Sequence, residues 1–212
     1  MTERLIETDA DVAEGAAWLA ARVPAFRDAL TKTGPLPLRR RGGGFGALLH
    51  AICGQQLSVA SADAVWKRLC AADLTSPEAV LEAGEDPLRA CGLSRPKMRY
   101  ALALADADLD YAALATMPEQ DAVETLTAVK GIGTWTAEIY LMFSVGRADV
   151  LAAGDLALQE AARDLFALPD RPSDRELRAL AEAWSPWRAV AARLLWSYYR
   201  VIKNRAGISE QT

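Results

Sequence analysis

The chain has 212 residues, 51% of them hydrophobic, which is enough for one large or two small cores. Alanine, leucine and arginine are abundant and β-branched residues are sparse, so an all-α fold without a sheet of any size is expected. The net charge of −4 argues against a simple polyelectrolyte binder, and no apolar run reaches the roughly 18 residues that a membrane span needs.

The first stretch, MTERLIETDADV, is acidic and has no apolar signal core, so a cytoplasmic protein without a membrane partner is expected. Residues 9–32 read as one or two amphipathic helices, with Val12, Ala16, Trp18, Leu19, Val23, Phe26 and Leu30 as the apolar set. Pro24 starts a new turn, and Thr33-Gly34-Pro35-Leu36-Pro37 ends the segment. Arg39-Arg40-Arg41-Gly42-Gly43-Gly44 is a basic loop that reads equally as a linker or as a contact for an anionic partner. Phe45 to Gln56 is a helix with Leu48, Leu49 and Ile52 inward. Ser58 caps a second helix, to about Ala72, that buries Val65, Trp66 and Leu69. Gln55, Gln56 and Leu57 fall at the turn between these helices, and His50 is read as an ordinary helix residue.

Residues 76–116 form several short helices punctuated by Pro77, Gly84, Pro87, Gly92, Pro96 and Asp110. Pro118 to Thr127 is a helix, Gly131-Ile132-Gly133 a tight hairpin, and Thr134 to Val145 a second helix with Trp135, Ile139, Tyr140, Met142 and Phe143 apolar. The two glycines can take backbone angles closed to other residues, and they let a large partner approach the main chain. The amides of Gly133, Thr134 and Trp135 then lie at a helix N-terminus, where the dipole favours an anion. A backbone site of this kind suits a strand phosphate, because it reads charge and not sequence. After Gly154-Asp155, a helix carries Leu156, Leu158, Ala162, Leu165 and Phe166. A loop from Leu168 leads to the capping box Ser173-x-x-Glu176, which opens a helix ending near Trp184. Pro186 starts a last long helix to about Ile202, and Ala206 to Thr212 is expected to fray.

Charge is unevenly spread. Residues 101–128 hold Asp106, Asp108, Asp110, Glu119, Asp121 and Glu124 and no cation. Residues 187–205 hold Arg188, Arg193, Arg200, Lys203 and Arg205 and no acid. The distribution suggests one acidic side and one side fit for nucleic acid, or simply two solvated surfaces. Cys53, Cys70 and Cys91 read as reduced, buried thiols, and no four-cysteine set exists for an iron–sulfur cluster.

Lys130-Gly131-Ile132-Gly133-Thr134-Trp135-Thr136-Ala137, followed by Gly154-Asp155, resembles the helix-hairpin-helix plus Gly/Pro-Asp motif of base-excision DNA glycosylases. Two more stretches resemble the DNA-3-methyladenine glycosylase II branch: Ile52-Cys53-Gly54-Gln55-Gln56-Leu57-Ser58-Val59, and Trp184-Ser185-Pro186-Trp187-Arg188 with Trp196 beyond it. Gly92-Leu93-Ser94-x-x-Lys97 resembles a further element, in which the serine opens a helix. The similarity runs from residue 40 to residue 203. It implies an all-α fold of two small helical subdomains with a DNA-binding cleft between them. Residues 1–40 would be N-terminal helices packing on the core, 41–125 the subdomain with the glutamine turn, and 126–212 the hairpin and catalytic subdomain. The extra N-terminal α/β domain of many relatives is expected to be missing.

The resemblance implies a monofunctional glycosylase that flips alkylated purines out of double-stranded DNA and acts as a monomer. Alternatives are the same fold acting on deaminated or oxidised bases, and a non-catalytic binding module. Asp155 would be the catalytic carboxylate, stabilising the cationic sugar and orienting water; by itself it also reads as an ordinary helix cap. Trp135 and Trp196, with Ile139 and Tyr140, would line the base pocket, although core packing is the other fate of such aromatics, and Tyr140 and Trp187 lean to the core. Gln56 would be the wedge that fills the gap left by the extruded base, and Gln55 a nearby strand or base contact; adjacent glutamines are also common surface residues. Gly131, Gly133, Thr134, Trp135 and Thr136 would bind phosphate. The carbonyls of Thr127, Val129 and Ile132 would face a monovalent cation, with no other cofactor. Bifunctional relatives such as endonuclease III carry a lysine two residues after the second hairpin glycine. Trp135 stands there, so no lyase step is expected. Many relatives have a basic residue where this chain has Gln159.

Overall fold

The computed structural model describes residues Arg4 to Arg205. The expected fraying of Ala206 to Thr212 lies outside the described residues. The described residues form twelve α-helices: α1 Asp9–Arg22, α2 Pro24–Thr33, α3 Gly44–Gly54, α4 Val59–Ala71, α5 Pro77–Ala83, α6 Glu85–Ala90, α7 Arg95–Asp106, α8 Glu119–Thr127, α9 Thr134–Tyr140, α10 Leu156–Leu165, α11 Asp174–Ala181 and α12 Arg188–Arg205, with 3-10 turns at Ala113–Ala115 and Glu182–Trp184 and a π-helical turn at Leu141–Val145. The only strand-like pairing among them is one antiparallel bridge, Leu5 with Arg147. The fold class is all-α, as composition requires.

Two compact units emerge from the packing: residues 1–40 with 141–212, and residues 41–140. The expected division placed a boundary between residues 125 and 126; the second unit instead runs through the hairpin to Tyr140.

In the first unit, α12 packs against α1, α2 and α10. Its residues Ala189, Val190, Ala191, Ala192, Leu194, Leu195 and Tyr198 are buried, so it is wrapped on most sides. Phe26, Phe166 and Trp184 form an aromatic cluster with ring centroids 5.1 to 5.8 Å apart. Truncating Trp184 or Phe26 to alanine would cost about 3–5 kcal/mol. Trp187 is also core: a Cβ on Gly15 would meet its ring at 2.6 Å, and the Arg4 guanidinium covers it. α12 begins at Arg188, later than the Pro186 start expected from sequence. The Asp149 carboxylate stands at this end, accepting from the Arg188 amide, the Arg188 Nε at 2.8 Å and the Ser185 hydroxyl at 2.7 Å. A negative group at a helix N-terminus complements the dipole.

Local chemistry sets the other helix ends. Thr8 and Asp11 form a capping box for α1, a signal sequence reading passed over, and Ser173 and Glu176 form the expected one for α11. Ser58 caps α4 by accepting from the Ser61 amide.

Several burial expectations fail. Cys53 and Cys91 are buried but Cys70 is exposed, and Trp66 is only half-buried, with its ring against His50. Leu156 is 61% exposed, because it is the first residue of α10 and the buried stripe runs through Leu158, Ala161 and Ala162. The basic segment 187–205 is not one uniform outer face. Arg193 is 1% exposed and donates to the carbonyls of Leu38 and Ala189, while Arg188 is paired with Asp149. Sequence distance cannot separate a cation that closes core carbonyls from one that faces solvent.

Candidate active site

In the first unit, Asp155 is the N-cap of α10. Its Oδ1 accepts from the amides of Ala157 at 2.9 Å and Leu158 at 3.1 Å, which caps the first turn. The same oxygen accepts from Trp196 Nε1 at 3.1 Å, reaching across from α12. Three N–H groups thus fix one carboxylate oxygen and orient the whole group. The loop before it is also held. Gln159 is buried, and its Nε2 donates to the Ala153 carbonyl at 2.9 Å. A neutral amide thus pins the approach to Gly154-Asp155. Gln159 was readable as a polar residue one position beyond the buried Leu158 on the same helix.

Trp196 is half-buried, and its ring lies 5.7 Å from that of Phe143. The Arg193 guanidinium covers the Phe143 ring at 4.7 Å. Burial pushes the Arg193 guanidinium down to about 10, and the cations of Arg39 and Arg40 add to the effect. Arg40 donates to the Ser144 carbonyl at 2.8 Å, so at least this residue of the basic loop is structural. The sequence left Trp196 open between a pocket wall and core packing; the structure makes it a hydrogen-bond donor to Asp155.

In the second unit, the chain leaves α8 at Thr127, turns through Gly131, and enters α9 at Thr134. Gly131 has φ +95°, and a Cβ there would lie 2.2 Å from Cγ of Tyr100. Only glycine fits. Gly133 does not use that freedom: its φ is not positive, and a Cβ would meet nothing within 4 Å. Gly133, Thr134 and Trp135 are exposed, with Trp135 at 50%. Thr136 is 8% exposed, since α9 turns it toward the core with Ala137 and Tyr140, so its side chain does not share the face of Thr134. Ile139 is half-buried. Tyr140 is 5% exposed, and its hydroxyl accepts from the Gly44 amide at 2.8 Å.

The glutamine turn belongs to this unit too. Gln56 is exposed and has φ +56°, a left-handed conformation uncommon outside glycine. Gln55 is half-buried, and its Nε2 donates to the Gly131 carbonyl at 2.8 Å. Leu57 beside them is 43% exposed.

Among the described residues no group of three or more His, Cys, Asp or Glu could hold a metal ion. The carbonyls of Thr127, Val129 and Ile132 are a different kind of donor set. The Val129 carbonyl already accepts the Ile132 amide at 3.0 Å, and a second lone pair remains on a carbonyl so engaged. Neutral carbonyl oxygens fit a hard monovalent cation and not a soft transition metal.

Residues 49–186 match the HhH-GPD superfamily base excision DNA repair protein family. The chain belongs to the HhH-GPD superfamily. It is 32% identical over 159 residues to DNA-3-methyladenine glycosylase 1 of Schizosaccharomyces pombe, covering 70% of this chain and 69% of that one. A solved DNA-3-methyladenine glycosidase from Bacillus halodurans superposes with a TM-score of 0.81 and 29% identity, over 96% of this chain and 95% of that one. The Schizosaccharomyces pombe 3-methyladenine DNA glycosylase Mag1, solved in complex with abasic DNA, superposes with a TM-score of 0.71 and 27% identity, over 86% and 95%. The superfamily match includes the glutamine turn, the hairpin and Asp155. No described helix is long and apolar enough to cross a membrane.

Proposed function

We propose that the protein is a monofunctional DNA glycosylase that extrudes alkylated purines, of the 3-methyladenine and 7-methylguanine type, from duplex DNA and hydrolyses their N-glycosidic bond. The observation that carries this reading is Asp155, held by two α10 amides and the Trp196 indole at the motif's acidic position. The similarity to 3-methyladenine glycosylases supports the substrate class.

An N-glycosidic bond is out of reach inside a stacked duplex, so the base must be flipped first. The hairpin backbone at Gly131 to Thr134 grips a strand phosphate without reading sequence. Gln56, at the exposed tip of its turn, fills the space the base leaves. A monovalent cation on the carbonyls of Thr127, Val129 and Ile132 would add positive charge beside that phosphate. Trp135, Trp196 and Ile139 each offer an aromatic or apolar face. Alkylation at N3 or N7 makes a purine cationic, and electron-rich rings attract cations. Tyr140, the last residue of α9, ties that helix to the start of α3 by accepting from the Gly44 amide.

The bond from C1′ to the base nitrogen then breaks, and its electron pair leaves with the base. The sugar becomes an oxocarbenium-like cation, and the Asp155 carboxylate stabilises it as it forms. Water adds to C1′, and its proton passes to the carboxylate or to solvent. A cationic base leaves as a neutral molecule, so no strong general acid is needed. Trp135 stands where bifunctional relatives place a Schiff-base lysine, so the product is an intact abasic site.

The test is to incubate alkylated DNA with the protein and identify the bases freed. Release of 3-methyladenine and 7-methylguanine is expected. Release of only oxidised or deaminated bases would overturn the substrate class, and tight binding with no release would overturn the catalytic reading.

A further inference from the structure

The turn that carries Gln56 is held by side chains from far along the sequence. Lys97 Nζ donates to the Cys53 carbonyl at 2.7 Å. That carbonyl lies in the last turn of α3, where no intrahelical amide follows and a cation meets the negative end of the dipole. Gln55 Nε2 donates to the Gly131 carbonyl. The same peptide unit is gripped on its other side, because the Ile132 amide donates to the Val129 carbonyl. The Gly131–Ile132 peptide plane is therefore pinned at both its oxygen and its nitrogen. Tyr100 closes the space over Gly131, and Lys97 and Tyr100 stand three residues apart on α7, on one helix face.

We infer that Gln55 is a positioning residue: its amide is a strut between the glutamine turn and the hairpin, and it does not itself read the DNA. The inference rests on the reading of Gln56 as wedge and of the hairpin as phosphate grip. A wedge and a grip act on one duplex only if their separation is fixed. An error of about 1 Å in such a placement can cost on the order of 100-fold. The left-handed backbone of Gln56 also needs surroundings that hold it, and Gln55 is the adjacent residue that does so through the hairpin. This assigns Gln55 a role other than the strand or base contact expected from sequence.

Two substitutions test the strut in the full-length protein. Gln55→Leu removes the donor, and Gln55→Glu keeps the length but sets an acceptor against the Gly131 carbonyl. Amide hydrogen exchange on the free protein is the first readout. The Ile132 and Leu57 amides should exchange about 10-fold faster in both variants, while α12 amides are unchanged. Unchanged exchange at Ile132 overturns the strut, whatever the protein does to DNA. The second readout is a double-mutant cycle with Gln56→Ala, scored as affinity for a duplex holding an abasic-site analogue relative to the same duplex intact. A strut predicts that Gln55→Leu lowers this preference about 10-fold and leaves intact-duplex affinity within about 2-fold. It also predicts no further loss in the Gln56→Ala background. Losses that add, or a fall in intact-duplex affinity, mean that Gln55 touches DNA and overturn the inference. If Gln56→Ala alone leaves the preference unchanged, the wedge reading is what fails, and the exchange result still decides the strut.

Discussion

The two hairpin glycines should behave in opposite ways when substituted. At Gly131 the backbone has φ +95°, and an added Cβ would lie 2.2 Å from Tyr100 Cγ and 2.6 Å from its Cβ. A left-handed backbone costs an L-residue about 1–2 kcal/mol, and overpacking adds about 1–3 kcal/mol. Gly131→Ala should therefore lose about 2–5 kcal/mol, or roughly 5–15 °C of Tm for a chain of this size. At Gly133 the Cβ points into open space, so Gly133→Ala should change stability by less than about 0.5 kcal/mol. Gly133→Asp should fold equally well yet bind any duplex more weakly, whatever its sequence. Repulsion between two charges about 4 Å apart in water is roughly 1 kcal/mol, so a loss of at least about 5-fold at low salt is expected. Urea unfolding and duplex titration measure the two effects separately. A stable Gly131→Ala variant would refute the packing argument. Wild-type duplex affinity in Gly133→Asp would remove the hairpin as the anchor.

Other outcomes follow from the same geometry. Trp196→Phe keeps the ring against Phe143 but removes the donor to Asp155; base release under saturating DNA should fall about 10-fold, with DNA affinity unchanged, if orientation of the acid matters. Wild-type protein should leave abasic sites intact and give no covalent adduct when borohydride is added during turnover; a strong adduct would mean that an amine attacks the sugar. On the acid side, hydrogen bonds from Ser173 hold Glu176 below its ordinary 4.5, and those from Thr8 and the Glu7 and Thr8 amides hold Asp11 below 3.8. For such lowered groups the stabilisation is complete above the ordinary values and is lost as pH falls through the lower folded ones. Carboxylate titration followed by NMR should give apparent values for both below the ordinary ones; ordinary values would mean that the capping boxes are open.

Much of the fold was legible because helices announce themselves by period and caps. The breaks at Pro24, the Ser58 cap and the Ser173-x-x-Glu176 box are local chemistry, and each appears where the sequence places it. Asp155 was legible as a helix cap, and it caps α10. Long-range pairing was not legible. Nothing local says that Gln55 reaches Gly131, that Gln159 turns inward to Ala153, or that Arg193 is spent on the Leu38 carbonyl. The compact-unit boundary was missed for the same reason, since the hairpin is bonded to a turn more than seventy residues earlier. Which of the two hairpin glycines uses the left-handed backbone was not legible, because glycine permits that conformation without requiring it.

Asp155→Asn tests the central claim most directly. Asparagine caps a helix about as well as aspartate, so the fold and the α10 start should persist. The amide removes the negative charge and leaves an oxygen able to accept the same amides. With alkylated duplex DNA, release of methylated base should fall by roughly 100-fold or more, the scale of losing one electrostatic stabiliser of a transition state. Affinity for the same DNA should stay within a few-fold. Base release near the wild-type rate from a well-folded Asp155→Asn protein would contradict the account.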